Sequence, residues 1–421
     1  MSPIKPTVQV VGRRDEPVDH RLRDFLTRIA QPYEWLEADS PAAQELLARL
    51  GLSDPPLPVL VDGDEVHTGL TVERLVEAWR HDAAPAREYY DFAIVGAGPA
   101  GLAAAVYGAS DGLSTIVLES DVPGGQATHT SLIENFFGFP DGIGGAELAR
   151  MAGRQAERFG AEVMVRRGVL GSRLTAAGEA ILEVDGGFEI TASVVLAAPG
   201  MTWRRLDVEG VDELLDRGVY YGAGRSEAAR CGGDDVVVIG AGNSAGQAVL
   251  NLSHAGARVK LVVRGDRLGK TMSAYLVDRV ERDPGIDVRL RTQVTVVHQR
   301  DGHLGAVTLT NADGDTETLP ALALFICIGG RPRTAWAPET HVELDPAGYI
   351  LTGPDLLREG RRPDGWELDR DPLALETTVP GLFAAGDARH GSTKRVAGAV
   401  GEGSMAAALA FRRLAELGIA A

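Results

Sequence analysis

The stretch Asp91-Phe-Ala-Ile-Val-Gly-Ala-Gly-Pro-Ala-Gly101 joins an apolar run to a glycine spacing suited to holding a dinucleotide. Gly96 permits a tight turn, Gly98 leaves room for a pyrophosphate against the backbone, and Gly101 lets the next helix pack on the strand. Pro99 and Ala100 open that helix, whose free N–H groups face the phosphates. Ile116-Val-Leu-Glu119 reads as the following strand, with Glu119 at its end to accept hydrogen bonds from ribose hydroxyls. The pattern recurs after Asp235, where Gly240, Gly242 and Ala245 keep the spacing around Asn243 and Ser244. The strand of residues 257–264 then ends in Arg264 rather than an acid, and a cation there favours a ribose 2′-phosphate, hence NADPH over NADH. Arg267 and Lys270 extend that charge but Asp266 interrupts it, so the second nucleotide is read as NADPH or NADH.

Two such turns need two α/β units to hold them, and a chain of 421 residues with 44% hydrophobic residues can build two to four domains. A net charge of −17 argues against a nucleic-acid surface and against docking on anionic lipid, both of which want basic patches. No apolar run approaches the length of a membrane span and no basic, apolar leader opens the chain, so a cytoplasmic protein is expected. Its two cysteines, Cys231 and Cys327, make neither a disulfide framework nor a metal site. Cys327 lies in the apolar run Leu324–Ile328, where a free thiol behaves as a small hydrophobe.

Residues 1–85 have a different texture. Strands are expected at Thr7–Val11, Tyr33–Glu37, Leu57–Val61 and Glu65–Thr68, with helices at Asp19–Ala30, Pro41–Leu50 and Thr71–Arg80. The order βαβαββα resembles a thioredoxin or glutaredoxin fold, and that resemblance puts a cis-proline at Pro58. The loop expected to carry a cysteine pair instead reads Gly12-Arg-Arg-Asp-Glu-Pro17, and the module contains no cysteine. Dithiol chemistry is excluded, leaving a packing or docking role in which Arg13, Arg14, Arg21 and Arg23 are candidates for a basic contact surface. Residues 83–87 read as an Ala/Pro linker to the first dinucleotide-binding strand.

Beyond the linker the chain resembles the low-molecular-weight thioredoxin reductase family of flavoproteins. The resemblance is carried by Gly124-Gly125-Gln126, by Asn135 with Gly138-Phe139, and by Gly386-Asp387 followed by Arg395-Val396-Ala397. It implies that Gly125, Gln126 and Asn135 pass along the flavin, that Asp387 bonds its ribityl chain and pyrophosphate side, and that the helix opening near Ala397 points its N-terminus at the ring. The family's usual Arg-Gln-Ala is Arg395-Val396-Ala397 here, which removes a side-chain bond from the middle position. The implied architecture is α/β, with two Rossmann-like nucleotide-binding domains, for FAD and NAD(P), behind an N-terminal thioredoxin-like domain. The FAD domain spans 88–201 and 329–421, the NAD(P) domain 202–328, and a homodimer is expected.

Family members carry Cys-x-x-Cys-Asp just before the second nucleotide-binding strand. Here Gly222, Arg225 and Ser226 stand at those three positions. The expected activity is an FAD-dependent oxidoreductase that moves electrons from NAD(P)H through flavin to an acceptor other than its own dithiol. Acceptor classes are ferredoxin or flavodoxin, a quinone, oxygen, or the disulfide of a separate protein. Hydride transfer demands no acid or base, so no catalytic residue is named. The alternative is a flavin-bound redox sensor or interaction protein with little turnover.

Overall fold

The computed structural model describes residues 7–79, 84–176, 178–222, 225–228 and 230–419. It begins with β1 (Val8–Gly12), α1 (Pro17–Arg28), β2 (Tyr33–Glu37), α2 (Pro41–Arg49), β3 (Val59–Asp62), β4 (Glu65–Thr68) and α3 (Val72–Ala78). The sheet order is β2-β1-β3-β4, with β1 parallel to β2 and antiparallel to β3. Alternation along β1 decides the two faces. Val8 and Val10 pack with Leu22, Phe25 and Leu26 of α1 and with Leu75 and Val76 of α3, whereas Val11 packs with Ala43, Leu46 and Leu47 of α2. The element order matches the sequence expectation, and the Leu57–Pro58 bond is cis. Arg80 and Ala83 lie outside the described residues.

The second unit is built from β5 (Tyr89–Val95), α4 (Pro99–Ser110), β6 (Thr115–Glu119), α5 (Gly145–Arg158), β7 (Glu162–Val165), β8 (Val169–Leu174), β9 (Ala180–Val184) and β10 (Phe188–Ala197). Its sheet runs β7-β6-β5-β10-β9-β8, parallel through β10 and antiparallel beyond. Phe92 and Ile94 of β5 are wholly buried in a core shared with α4. After β11 (Met201–Trp203) comes β12 (Val219–Tyr221), α6 (Arg225–Ala228), β13 (Asp235–Ile239), α7 (Asn243–His254), β14 (Arg258–Val263), α8 (Ala274–Arg282) and β15 (Ile286–Leu290). An antiparallel sheet of β16 (Thr292–Arg300), β17 (His303–Asn311) and β18 (Thr316–Pro320) precedes β19 (Ala323–Ile326).

In this third unit the parallel sheet runs β12-β19-β13-β14-β15. Val236 and Val238 of β13 pack with α7 and α8, while Val237 and Ile239 pack with Val294, Val307 and Leu309 of the antiparallel sheet. Strand β20 (Gly330–Pro332) then pairs antiparallel with β11, so the two chain crossings between the units form one ribbon. The chain returns to the first parallel sheet through β21 (Leu382–Ala384), which pairs with β10, and ends in α9 (Val396–Glu416). Cys327 stands one residue past β19 rather than inside it, and both cysteines are buried. Among the described residues no helix is long and apolar enough to cross a membrane.

The first module sits on both larger units. Arg28 of α1 reaches Asp121 beyond β6 at 2.6 Å and Thr128 at 3.1 Å. On its other side Glu227 of α6, 1% exposed, accepts from His20 at 2.8 Å and from Arg23 at 3.2 Å, and Arg230 pairs with Asp15. Arg23 is therefore 3% exposed and not part of a contact surface. Arg14 is held by Glu37 at 2.8 Å, which leaves Arg13 and Arg21 as the exposed members of the expected basic patch. Acidic partners on neighbouring elements dissolved that patch, and spacing along one helix could not reveal them.

Candidate functional site

Both glycine turns make the same local contact. Gly96 has φ +103°, and a Cβ there would fall 2.3 Å from the Ala198 carbonyl oxygen just past β10. Gly240 has φ +145°, and its Cβ would fall 2.3 Å from the Cys327 carbonyl oxygen just past β19. Any side chain would push the turn off the neighbouring strand. Gly101 is needed for a different reason, since its Cβ would lie 1.9 Å from the Gly96 carbonyl oxygen and lift α4 off the turn. At Gly98 and Gly242, by contrast, a Cβ would meet nothing within 4 Å. These two positions are open on the side where a phosphate would approach.

A cavity of about 1150 Å³ runs between the three units. Of the residues singled out by sequence, Gly96, Gly98, Pro99, Ala100, Glu119, Gly125, Gln126, Gly386, Asp387, Arg395, Val396 and Ser244 line it. Glu119 is 6% exposed and accepts from the backbone N–H of Ala97 at 2.7 Å and of Asp121 at 2.8 Å. Burial raises its carboxyl above the ordinary range against those two bonds. The Ser120 hydroxyl adds a long third bond at 3.5 Å, and a carboxylate has about four acceptor positions, so one remains for a ligand hydroxyl. Gln126 donates from Nε2 to the Met201 carbonyl at 2.8 Å, tying the turn after Gly124 to the β11–β20 ribbon.

Asp387 is positioned by its neighbours rather than through its own carboxylate. Glu402 of α9 accepts from the Gly386 N–H at 2.7 Å and from Arg389 at 2.7 Å, fixing the backbone on either side. Burial raises the Asp387 carboxyl, and no described residue donates a hydrogen bond to it. Helices α4 and α9 both begin at the cavity, capped by Gly98 and Arg395, and they pack so closely that a Cβ at Gly403 would lie 2.1 Å from the Ala100 carbonyl oxygen. Two helix N-termini, an open glycine, an unsatisfied carboxylate and a buried acid with spare acceptor capacity form a donor and acceptor set that fits a flavin dinucleotide.

Other sequence candidates fall elsewhere. Asn135 is exposed and outside the cavity lining: Ile133 turns inward in a bridge with Ile143, and Glu134 is drawn to Arg279 of α8 at 2.7 Å. Ala397 is exposed on the first turn of α9. Gly240, Gly242, Asn243 and Ala245 stay with the second turn, where Asn243 accepts from the Ser273 N–H at 2.7 Å and Ala245 is fully buried. Arg264 is exposed at the end of β14. Ala223 and Gly224 lie outside the described residues, but Gly222 is placed: its Cβ would meet the Trp203 ring at 3.3 Å.

Several lining residues carried no motif. His20, Asp24 and Arg28 of α1, together with His129, Trp203, Tyr220 and Glu227, line the same cavity. His129 has its imidazole pushed below the ordinary value by burial and by the Arg28 charge. The only signal for the α1 residues is their i, i+4, i+8 spacing, which marks a polar helix face without saying what that face meets. The thiol pKa values of Cys231 and Cys327 are pushed up to about 12 by burial.

The sequence profile of the pyridine nucleotide-disulphide oxidoreductase family matches residues 90–403, so the first module precedes the matched stretch. The chain is 33% identical over 319 residues to a thioredoxin reductase of Bacillus subtilis, covering 76% of this chain and 92% of that one. It is 34% identical over 334 residues to NADPH-dependent thioredoxin reductase 3 of Arabidopsis thaliana, covering 76% of this chain and 58% of that relative's length. The crystal structure of thioredoxin reductase from T. acidophilum superposes with a TM-score of 0.68 at 27% identity, over 79% of this chain and all of that one. The match over residues 90–403 and these likenesses lead to one conclusion: the chain belongs to the pyridine nucleotide-disulphide oxidoreductase family, whose thioredoxin reductases use FAD and NADPH.

Proposed function

We propose that this protein is an FAD-dependent oxidoreductase that passes electrons from NADPH to an acceptor entering the cavity from outside, and not to a dithiol of its own. The observation that carries the reading is the pairing of the lined cavity with the cysteine inventory. Gly222 occupies the place of the family's first redox cysteine, and the two cysteines present are buried with thiols unsuited to forming thiolate at neutral pH. Bound FAD supplies two-electron redox chemistry between nicotinamide and acceptor.

In this reading residues 88–201 and 329–421 form the FAD domain. Gly96 and Gly101 shape the turn, Gly98, Pro99 and Ala100 present backbone to the pyrophosphate, and Glu119 takes a ribose hydroxyl. Asp387 accepts from hydroxyls of the ribityl chain, Gly386 keeps backbone bulk away, and Gly125 with Gln126 borders the ring. Arg395, Val396 and Ala397 open α9, whose dipole favours the negative charge that gathers near its N-terminus on reduction. Residues 202–328 form the NADPH domain, with Gly240, Gly242, Asn243, Ser244 and Ala245 at the pyrophosphate and Arg264 at the 2′-phosphate. Residues 1–85 form a thioredoxin-like module that serves as scaffold, supported by its βαβαββα order and its lack of cysteine.

The test is anaerobic mixing of the FAD-loaded protein with NADPH and with NADH, followed at the flavin band. Bleaching with NADPH, faster than with NADH, is expected. An unchanged band with both nucleotides sinks the reading and leaves a non-turning-over flavin sensor in its place.

A further inference from the structure

Leu22, Phe25 and Leu26 of α1 are buried in their own module, while His20, Asp24 and Arg28 face the cavity between modules. Each charged group on that face is already matched. Arg28 is paired with Asp121 at 2.6 Å and Asp24 at 3.6 Å, and His20 lies between Glu227 at 2.8 Å and Asp216 at 3.5 Å.

Beside that wall, Trp203 and His129 remain uncommitted, and both are neutral and aromatic. Trp203 stands edge-on to His129 with ring centroids 5.8 Å apart. Neither the Trp203 indole nitrogen nor the His129 ring nitrogens hydrogen-bond any described residue. A neutral imidazole offers one N–H donor and one acceptor. Gly222 places no side chain of its own against the Trp203 ring, whereas a side chain there would press on Trp203 from 3.3 Å and reach the His129 Cβ at 3.8 Å. The place where the family carries a redox cysteine thus becomes room beside an indole and an imidazole.

We propose that this compartment binds a quinone, with its ring against Trp203 and a carbonyl oxygen accepting a hydrogen bond from His129. The proposal rests on the reading that electrons leave to an external acceptor. A charged acceptor would find no unpaired counter-charge on the α1 wall, whereas a planar neutral carbonyl compound matches the two uncommitted groups. The reaction balances as NADPH + H⁺ + quinone giving NADP⁺ + hydroquinone: the nicotinamide loses a hydride, both quinone carbonyls become hydroxyls, and one proton comes from solvent.

The test uses the full chain loaded with FAD, oxidised and without NADPH, titrated with menadione and followed by the difference spectrum of the flavin band. Saturable binding is expected, weakened about tenfold in Trp203→Ala and in His129→Leu, as loss of an aromatic contact or a single hydrogen bond implies. Trp203→Phe and His129→Gln should restore it to within about threefold, since each keeps the relevant contact. Flavin-to-protein absorbance establishes that each variant is loaded, and the two sites are read separately. Absence of menadione binding in the wild type, or wild-type affinity in both disruptive variants, overturns the proposal. A flavin that NADPH fails to bleach overturns the broader reading instead, because the binding titration is made without nucleotide.

Discussion

Replacing Glu227 with Gln keeps the shape of a buried side chain and removes its charge, leaving Arg23 without an anionic partner in a site where it is 3% exposed. Burial alone would raise the Glu227 carboxyl. The hydrogen bond and charge of His20, with those of Arg23, outweigh burial and hold it at about 2, against an ordinary 4.5. A depression of that size corresponds to about 3 kcal/mol of folded-state stability, and breaking a buried pair from one side costs about 3–5 kcal/mol. Because the folded value is the lower one, this stability is fully present above about pH 4.5 and is lost as pH falls toward 2. Urea unfolding at pH 7 should show Glu227→Gln less stable by about 3 kcal/mol at unchanged m-value, with the gap roughly halved at pH 3. In a double-mutant cycle with Arg23→Met, the coupling should be about 2 kcal/mol. A gap equal at both pH values, or additivity within about 0.5 kcal/mol, would refute the claim that this pair fastens the first module to α6.

Gly98→Ala should leave the thermal unfolding of the apoprotein unchanged, since its Cβ meets nothing within 4 Å, yet weaken FAD retention at least about tenfold by blocking backbone approach. Gly403→Ala should do the reverse in kind, destabilising the apoprotein by about 2 kcal/mol through a clash with the Ala100 carbonyl, as read by calorimetry. Cys231 and Cys327 should stay silent toward a thiol reagent at pH 7 and react fully only in denaturant, and NADPH oxidation should persist in the double Ser variant. Arg264→Ala should lower the preference for NADPH over NADH by about tenfold in kcat/KM, as loss of one charge-assisted contact implies, while NADH values hold steady.

The two glycine turns were legible in the sequence because their demands are local. Gly96 and Gly240 need positive φ and a bare Cα, and only glycine supplies both, so spacing alone located the turns and the strands feeding them. The same holds for the alternation along β1 and for the acid closing β6. A motif carried over by resemblance was weaker evidence: Asn135 lies on an irregular loop, where the inward position goes to Ile133 and no period constrains the choice.

What tertiary structure alone decided is what each polar face meets. His20, Asp24 and Arg28 share a helix stripe that could equally have faced water, and Arg23 read as a surface charge until α6 brought Glu227 to it from 204 residues away. The placement of Trp203 and His129 beside Gly222 likewise depends on strands and turns distant in the chain. Backbone conformation and strand periodicity are properties of neighbouring residues, so they can be read in order. Charge pairing and cavity walls are made by side chains meeting across modules, and the chain folded into three units is what brings them together.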